Sequence, residues 1–379
     1  MLNKVVIYLL LFLLLSCKEE SITTVERIED VGEEVFFNLP TASTNYYISG
    51  QKEKSGFGFV DVDSGIFYFQ RNNEKTDSLV LPDHSSRFYN VIPCPNGQYY
   101  FLDFKNGLYL LTKKGPLFID DINKSTVLKK NGLTVSHLLD VFSFALFRDE
   151  KHLIIPLSWD INRHRSNGTI LLKPIPRYCE YDLKSKEVRL LNCMTPKDYF
   201  VSDYGNKECD YFGCVNNDTL IVSVPYSPEV ILYSISKNSI ISKLNCKSSF
   251  QKELIDQFHS NGTKKTSLEY ERYEIETPFY GAMFYNSIRK EYYRIFYHGL
   301  PKINKSGEYT ILDDKKSSVM VLDEHLKLKE EILFSKNAFV MFGITSTKRG
   351  FIVNSYSKNL NGKRIRYEVV LKNGNLIYN

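Results

Sequence analysis

Apolar and aromatic runs alternate with short polar turns along most of the chain, but one apolar run stands apart. Val5–Leu15 is unbroken, preceded by the single positive charge of Lys4 and followed by Ser16 and Cys17. Its length of about eleven residues falls well short of the roughly 20 a bilayer-spanning helix needs. A charged start, a short apolar middle and a small-residue end have the form of a secretory signal peptide. From residue 34 onward the pattern changes to hairpins. Gly56–Phe69, Gly97–Leu111, Tyr178–Leu191, Glu229–Ile241, Met283–Tyr297, Ser318–Ile332 and Tyr367–Tyr378 each read as an apolar-biased strand, a polar turn and a returning strand.

Several of these hairpins share one grammar: about four apolar-biased residues, an Asp or another short polar residue, then the turn. A carboxylate or amide at a strand end bonds the turn backbone, so its recurrence has a structural cause. The Asn106-Gly107 step suits the positive φ values of a type I′ turn. Many such units in one continuous stretch point to propeller blades more than to a β-sandwich. The expected architecture is all-β: a single β-propeller of six or seven blades, after a cleaved signal peptide and a short tether. The boundaries read as signal peptide 1–16, flexible tether 17–32 and propeller 33–379. Closing the ring would pair Val35–Leu39 with strands in Arg366–Tyr378 and so remove two open edges.

Helical signal is thin. In Ser248–His259, Phe250, Leu254 and Phe258 recur every fourth residue, and Ser248 with Gln251 has capping-box spacing, which predicts one short helix. Leu133–Phe147 reads equally well as helix or strand.

Composition supports the all-β reading and narrows the chemistry. Tyr (26) and Phe (25) far outnumber the single Trp, and aromatic side chains favour pleated, half-buried surfaces. The net charge of +5, one unit of it from Lys4, is not gathered into a Lys/Arg block, which argues against nucleic acid as a partner. Of seven cysteines, Cys17 directly follows the leader, and the other six show neither C-x-x-C nor zinc-finger spacing, so buried free thiols are expected. The seven histidines are dispersed, and no metal and no cofactor is expected from spacing.

The ending Leu14-Leu15-Ser16-Cys17 resembles a bacterial lipobox, whose cysteine is acylated and becomes the N-terminus. Lys18-Glu19-Glu20 resembles the surface-export signal of some Gram-negative lipoproteins. With these, the aromatic hairpins and the stretch Tyr280–His298, including Tyr292-Tyr293-Arg294, resemble the Gram-negative lipoproteins grouped as DUF4221. That resemblance implies a six- or seven-bladed propeller, anchored to the outer membrane through Cys17 and facing outward or into the periplasm. It implies no catalytic residues.

Signatures of catalysis are missing from the sequence: there is no G-x-S-x-G, H-E-x-x-H or G-x-x-x-x-G-K-[ST]. Asp61-Val-Asp63-Ser-Gly65 half-resembles a calcium loop but lacks its later ligands and reads as a hairpin turn. The loop from Ser158 to Gly168 carries the only Trp, Trp159, with Arg163, His164 and Arg165. Trp and Arg often anchor a partner, so these four are the candidate ligand-binding residues. Arg294 and Tyr280 are weaker candidates, because they also suit a core strand with a snorkelling arginine. The function expected is a lipid-anchored envelope module that binds or scaffolds a protein, peptide or glycan. The alternative is a metal-dependent hydrolase or lyase with its site in the central channel.

Overall fold

The computed structural model describes residues 21–25, 32–34, 56–61, 66–71, 77–81, 90–103, 107–135, 145–159, 165–166, 169–170, 175–194, 212–251, 272–273, 275–311, 314–335, 344–358, 364–372 and 375–376. Cys17, Arg163 and His164 lie outside these residues, as do Val35–Leu39 and most of the expected helix 248–259.

Among the described residues, six mainly antiparallel sheets follow one another in chain order, besides a separate two-stranded ribbon of Arg165–Ser166 and Thr169–Ile170. Sheet one holds Gly56–Asp61, Ile66–Arg71 and Asp77–Val80, and sheet two Asn90–Pro93, Tyr99–Leu102, Gly107–Thr112 and Gly115–Asp121. In sheet three the first strand is split, Leu133–Val135 and Leu146–Phe147 each pairing part of His152–Trp159, with Pro176–Asp182 and Val188–Met194 beyond. Sheet four holds Phe212–Asn216, Thr219–Ser223, Glu229–Ser234 and Ser239–Asn245; sheet five holds Phe279–Asn286, Glu291–Tyr297, Ser317–Leu322 and Leu328–Phe334. Sheet six is built on Thr345–Ser346, Gly350–Lys358 and Arg364–Lys372. The all-β expectation and the seven hairpins are therefore found.

Each pair of consecutive sheets encloses one apolar cluster. Phe67 and Leu79 meet Val91 and Phe101 between sheets one and two. Leu102 and Leu108 meet Leu153 and Tyr181 in the next interface, and Ile154 and Tyr178 meet Val222 and Tyr233 in the one after. Sheet five shows how the strand period divides the labour. Tyr292, Phe296 and Met320 face Ile221 and Val230 of sheet four, whereas Tyr293, Ile295 and Val319 face Phe351 and Val369 of sheet six. Adjacent residues point to opposite faces. Because both faces are covered, Glu291–Tyr297 and Ser317–Leu322 are buried throughout, which explains their nearly continuous apolar sequence.

The recurrent Asp and Asn residues act as the grammar predicts. Asp182 Oδ1 accepts the N–H groups of Lys184 and Ser185, and Asp323 Oδ1 those of His325 and Lys327. Asn286 Oδ1 accepts those of Ile288 and Arg289. Asp61 pairs opposite Ile66, so the calcium-like segment connects two hairpin strands. The Asn106-Gly107 expectation needs correction, because Gly107 opens the strand Gly107–Thr112, paired opposite Asp121. Its amide is held by the Asp103 carboxylate at 2.6 Å, and a Cβ there would meet the Tyr109 ring at 2.8 Å. Close approach, not turn handedness, is what requires glycine.

Helical turns that went unforeseen include Ile122–Lys124, a 3-10 turn, and Thr126–Asn131, a short α-helix ended by Gly132 at φ 64°. The ambiguous 133–147 segment resolves at its ends into the two short strands of sheet three.

The N-terminal region also differs from expectation. Ser21–Val25, read as tether, lies parallel to Leu328–Phe334 as a fifth strand of sheet five, with Ser21 opposite Glu330 and Val25 opposite Phe334. Thr23 Oγ1 donates to the buried Glu330 carboxylate at 2.5 Å, and Val25 enters the cluster between sheets five and six. Gly32–Glu34 pairs with Tyr367–Val369 of sheet six. The C-terminal partner of this pairing is the expected one, and the N-terminal strand lies just ahead of Val35.

Truncation after residue 363 removes the strand that Gly32–Glu34 and Gly350–Lys358 both pair with. The expected outcome is loss of a cooperative thermal transition by circular dichroism, with recovery mainly as insoluble protein.

Candidate functional site

Strand alternation gives sheets two to six two unlike ends. One end carries only turns of five residues or fewer, such as Lys113–Lys114, Asn217–Asp218 and the one between Asn286 and Glu291. The other end carries the long connections, among them 122–132, 160–175, 195–211, 246–278 and 298–316. Trp159 closes a strand at this long-connection end, with its backbone opposite Leu133. Arg165 lies nearby in sequence, in a two-residue strand paired with Thr169–Ile170. The long connections 246–278 and 298–316 are held by a polar network that the sequence did not reveal.

Its centre is Arg294, the middle residue of Glu291–Tyr297, which is 0% exposed. All three guanidinium nitrogens donate. Nε bonds Ser223 Oγ at 3.0 Å, and Nη1 bonds the carbonyls of Pro228 and Cys246, both at 2.9 Å. Nη2 reaches the Ser227 carbonyl at 3.0 Å, and the fork lies 3.7 Å from the centre of the Tyr280 ring. The expectation of a snorkelling arginine is therefore overturned: the strand is core, and the charge stays inside it. One side chain gathers the tight 224–228 connection and the start of the 246–278 connection, and a planar fork with five donors suits that task.

The Tyr280 hydroxyl continues the network. It accepts the Ser248 N–H at 2.8 Å and donates to Gln251 Oε1. The two residues expected to form a capping box are thus bridged by a tyrosine. Ser248 Oγ and Ser249 N–H both donate to the buried Glu331 carboxylate, at 2.6 and 2.7 Å, and Ser318 Oγ donates to it at 2.6 Å.

His298 Nε2 lies 3.2 Å from that same Ser318 Oγ, which assigns the proton of the neutral imidazole to Nε2. The ring sits among Phe250 and Phe296. Burial, then the charges of Lys316 and Lys315, hold its pKa down at about 4.

A second cation works in the same way as Arg294: buried Lys315 donates to the Thr277 carbonyl at 2.8 Å. Arg272 then fixes the 298–316 connection, donating to the carbonyls of Thr310 and Lys302 at 2.7 and 3.1 Å. The Ile303–Tyr309 bridge makes that connection a small hairpin. On it Tyr309 is 65% exposed, with Arg272 and Lys302 near its ring and Ile303 and Ile311 open beside it. Chemically the arrangement is a rigid, amphipathic rim suited to holding a partner. Exposed Tyr309 beside two cations resembles the combination sought at Trp159 and Arg163, and its only signal in the sequence was the Asn304–Gly307 turn.

Among the described residues, no three of His, Cys, Asp and Glu gather closely enough to hold a metal ion. Cys94, Cys179, Cys193, Cys214 and Cys246 are buried and unbridged, as expected. Burial pushes the Cys193 thiol up to about 12 and raises the other four.

Arg294→Met should destabilise the protein by about 3–5 kcal/mol in chemical denaturation, because its carbonyl partners stay buried without their donor. His298 has a folded pKa below its unfolded value, so its contribution is fully present above about pH 6.5 and is lost as pH falls toward about 4. Stability should drop on the order of 2 kcal/mol between pH 7 and pH 5, and His298→Gln should flatten that dependence.

The comparisons with known proteins bear on family and fold. The sequence matches the domain of unknown function DUF4221 over residues 121–333. No curated protein matches it. A crystal structure of a DUF4221 member from Bacteroides vulgatus is 15% identical, covers 89% of this chain and 97% of its own, and superposes with a TM-score of 0.61. A luciferin-regenerating enzyme (10% identical, 93% and 98% covered) and virginiamycin B lyase from Staphylococcus aureus (9%, 88% and 83%) reach TM-scores of only 0.43 and 0.38. Those two likenesses are too loose to bear on fold or chemistry. With more than half its length inside the family's domain, this all-β chain belongs to the DUF4221 family.

Proposed function

We propose that the chain is a lipoprotein, acylated at Cys17 and held at the outer membrane. Its six sheets form a closed β-propeller that binds or scaffolds a protein, peptide or glycan. Five consecutive sheet-to-sheet clusters support the ring, as does a sixth sheet that draws a strand from each end of the chain. Lys18-Glu19-Glu20 favours outward display.

The observation that carries the binding role is the inequality of the two ends. Long connections are confined to one end of sheets two to six, and buried Arg294, Glu331 and Lys315 fix their backbones there. Loops on a rigid scaffold are where recognition is usually carried. Tyr309 and the Trp159–Arg165 loop are the contact residues of this reading. A partner held there meets an aromatic face beside cations, a pairing common at the centres of binding surfaces.

Photocrosslinking in cells tests this. A photoreactive residue in place of Tyr309 or Arg163 should yield discrete partner adducts, whereas one at exposed Lys243, on the outer strand of sheet four, should not. Equal adducts from Lys243 would defeat the end-specific reading. Cys17→Ala should move the protein from the membrane to the soluble fraction, and its retention on membranes would defeat the anchor.

A further inference from the structure

The docking of Ser21–Val25 bears on how the body stands on its membrane, given the proposed acylation of Cys17. Ser21 lies opposite Glu330, near the start of Leu328–Phe334, and the two strands run parallel toward the long connections. Sheet five ends in the tight turn 323–327 only about 7 Å behind Ser21, at roughly 3.3 Å per residue. Cys17 is four residues before Ser21, so their separation is at most about 14 Å, whatever path the intervening chain takes. That reach passes the tight-turn end with length to spare. Toward the other end it barely equals the distance of about 13 Å to the close of the ladder, and the 298–316 hairpin stands beyond.

The tight-turn ends of sheets two to six lie side by side. Cys94 Sγ reaches the Glu150 carbonyl, Asn238 Nδ2 the Leu190 carbonyl, Asn216 Nδ2 the Tyr292 hydroxyl, and Asn286 Nδ2 the Thr347 carbonyl. The exposed side chains at this end include Lys114, Lys151, Lys237, Lys290, Lys327 and Lys348. Asp182 and Asp323 turn their carboxylates back onto the turn backbone, half-exposed Asp149 is paired with Arg148 and His152, and the exposed acids there, Glu150, Glu187 and Glu324, are fewer. The tight-turn face therefore presents an excess of positive charge, which an anionic bilayer attracts; the long-connection end carries exposed lysines as well, so charge permits the contact and the reach of the docked strand decides which end makes it.

We infer that the docked N-terminal strand holds the tight-turn end against the anionic lipid surface in which Cys17 is embedded, so that the long-connection end faces away from the membrane. The inference rests on the lipoprotein reading and goes beyond it, because acylation alone fixes no orientation.

The test is lysine acetylation, read by mass spectrometry, of full-length processed protein in vesicles of phosphatidylcholine and phosphatidylglycerol, compared with the protein in detergent. Vesicle binding should slow labelling about threefold or more at Lys151, Lys237, Lys290 and Lys327, and leave Lys129, Lys302 and Lys305 unchanged. Inserting about twenty Gly/Ser residues between Glu20 and Ser21 should abolish that protection without changing the melting temperature. An N-terminal peptide without acyl chains would overturn the anchor, and the orientation with it. Acylated protein with uniform labelling, with protection of Lys302 and Lys305, or with protection that survives the spacer, would overturn the orientation alone.

Discussion

A sheet covered on both faces has only its ends and outer edge left for polar groups, and this constraint governs the whole protein. Each of sheets two to five meets a neighbour on either side, so its inner strands must be largely apolar at odd and even positions alike. Charge is thereby pushed to the turns or must be neutralised inside. Tight turns absorb it with Asp and Asn caps, and connections too long to cap themselves are tied down by cations bonded to their carbonyls. Arg294 marks the limit of the pattern: a charged group retained in an apolar interface because it has backbone to hold.

Buried ionic groups of this kind are weak evidence of stability, since taking a charge out of water is expensive and apolar replacements are often no worse. Their value here is geometric. Arg294, Tyr280 and Glu331 join sheet five to the 224–228 connection within sheet four and to the start of the 246–278 connection that leaves it, and no apolar residue could set those loops relative to one another. A half-satisfied network would cost more than a plain apolar core. Arg294, Tyr280, Ser318 and Glu331 are therefore expected to work together or not at all.

Local features were legible in the sequence and distant ones were not. The hairpins could be read because turn and alternation lie within a dozen residues, as in Tyr178–Leu191. The lipobox, the aromatic content and the Asp–turn grammar were of the same kind. Ser21–Val25 could not be read, since Ser-Ile-Thr-Thr-Val looks like a polar tether until Glu330–Phe334 is brought beside it. Arg294 was visible but its role was not, because its partners are carbonyls, which every residue has. Asn106-Gly107 misled because Gly serves close approach as well as turn handedness, and only Tyr109 and Asp103 in place distinguish the two.

The parallel ladder between Ser21–Val25 and Leu328–Phe334 also has a mechanical meaning. A pull on the N-terminus acts along the strand, so the rungs from Ser21 to Val25 share the load at once instead of opening singly from one end. Sheet five lies next to sheet six, whose outer strand Gly32–Glu34 follows within a few residues. Tension reaching the body through its leading end is thus met in shear, by two ladders in series, before it can reach the loops that Arg294 holds.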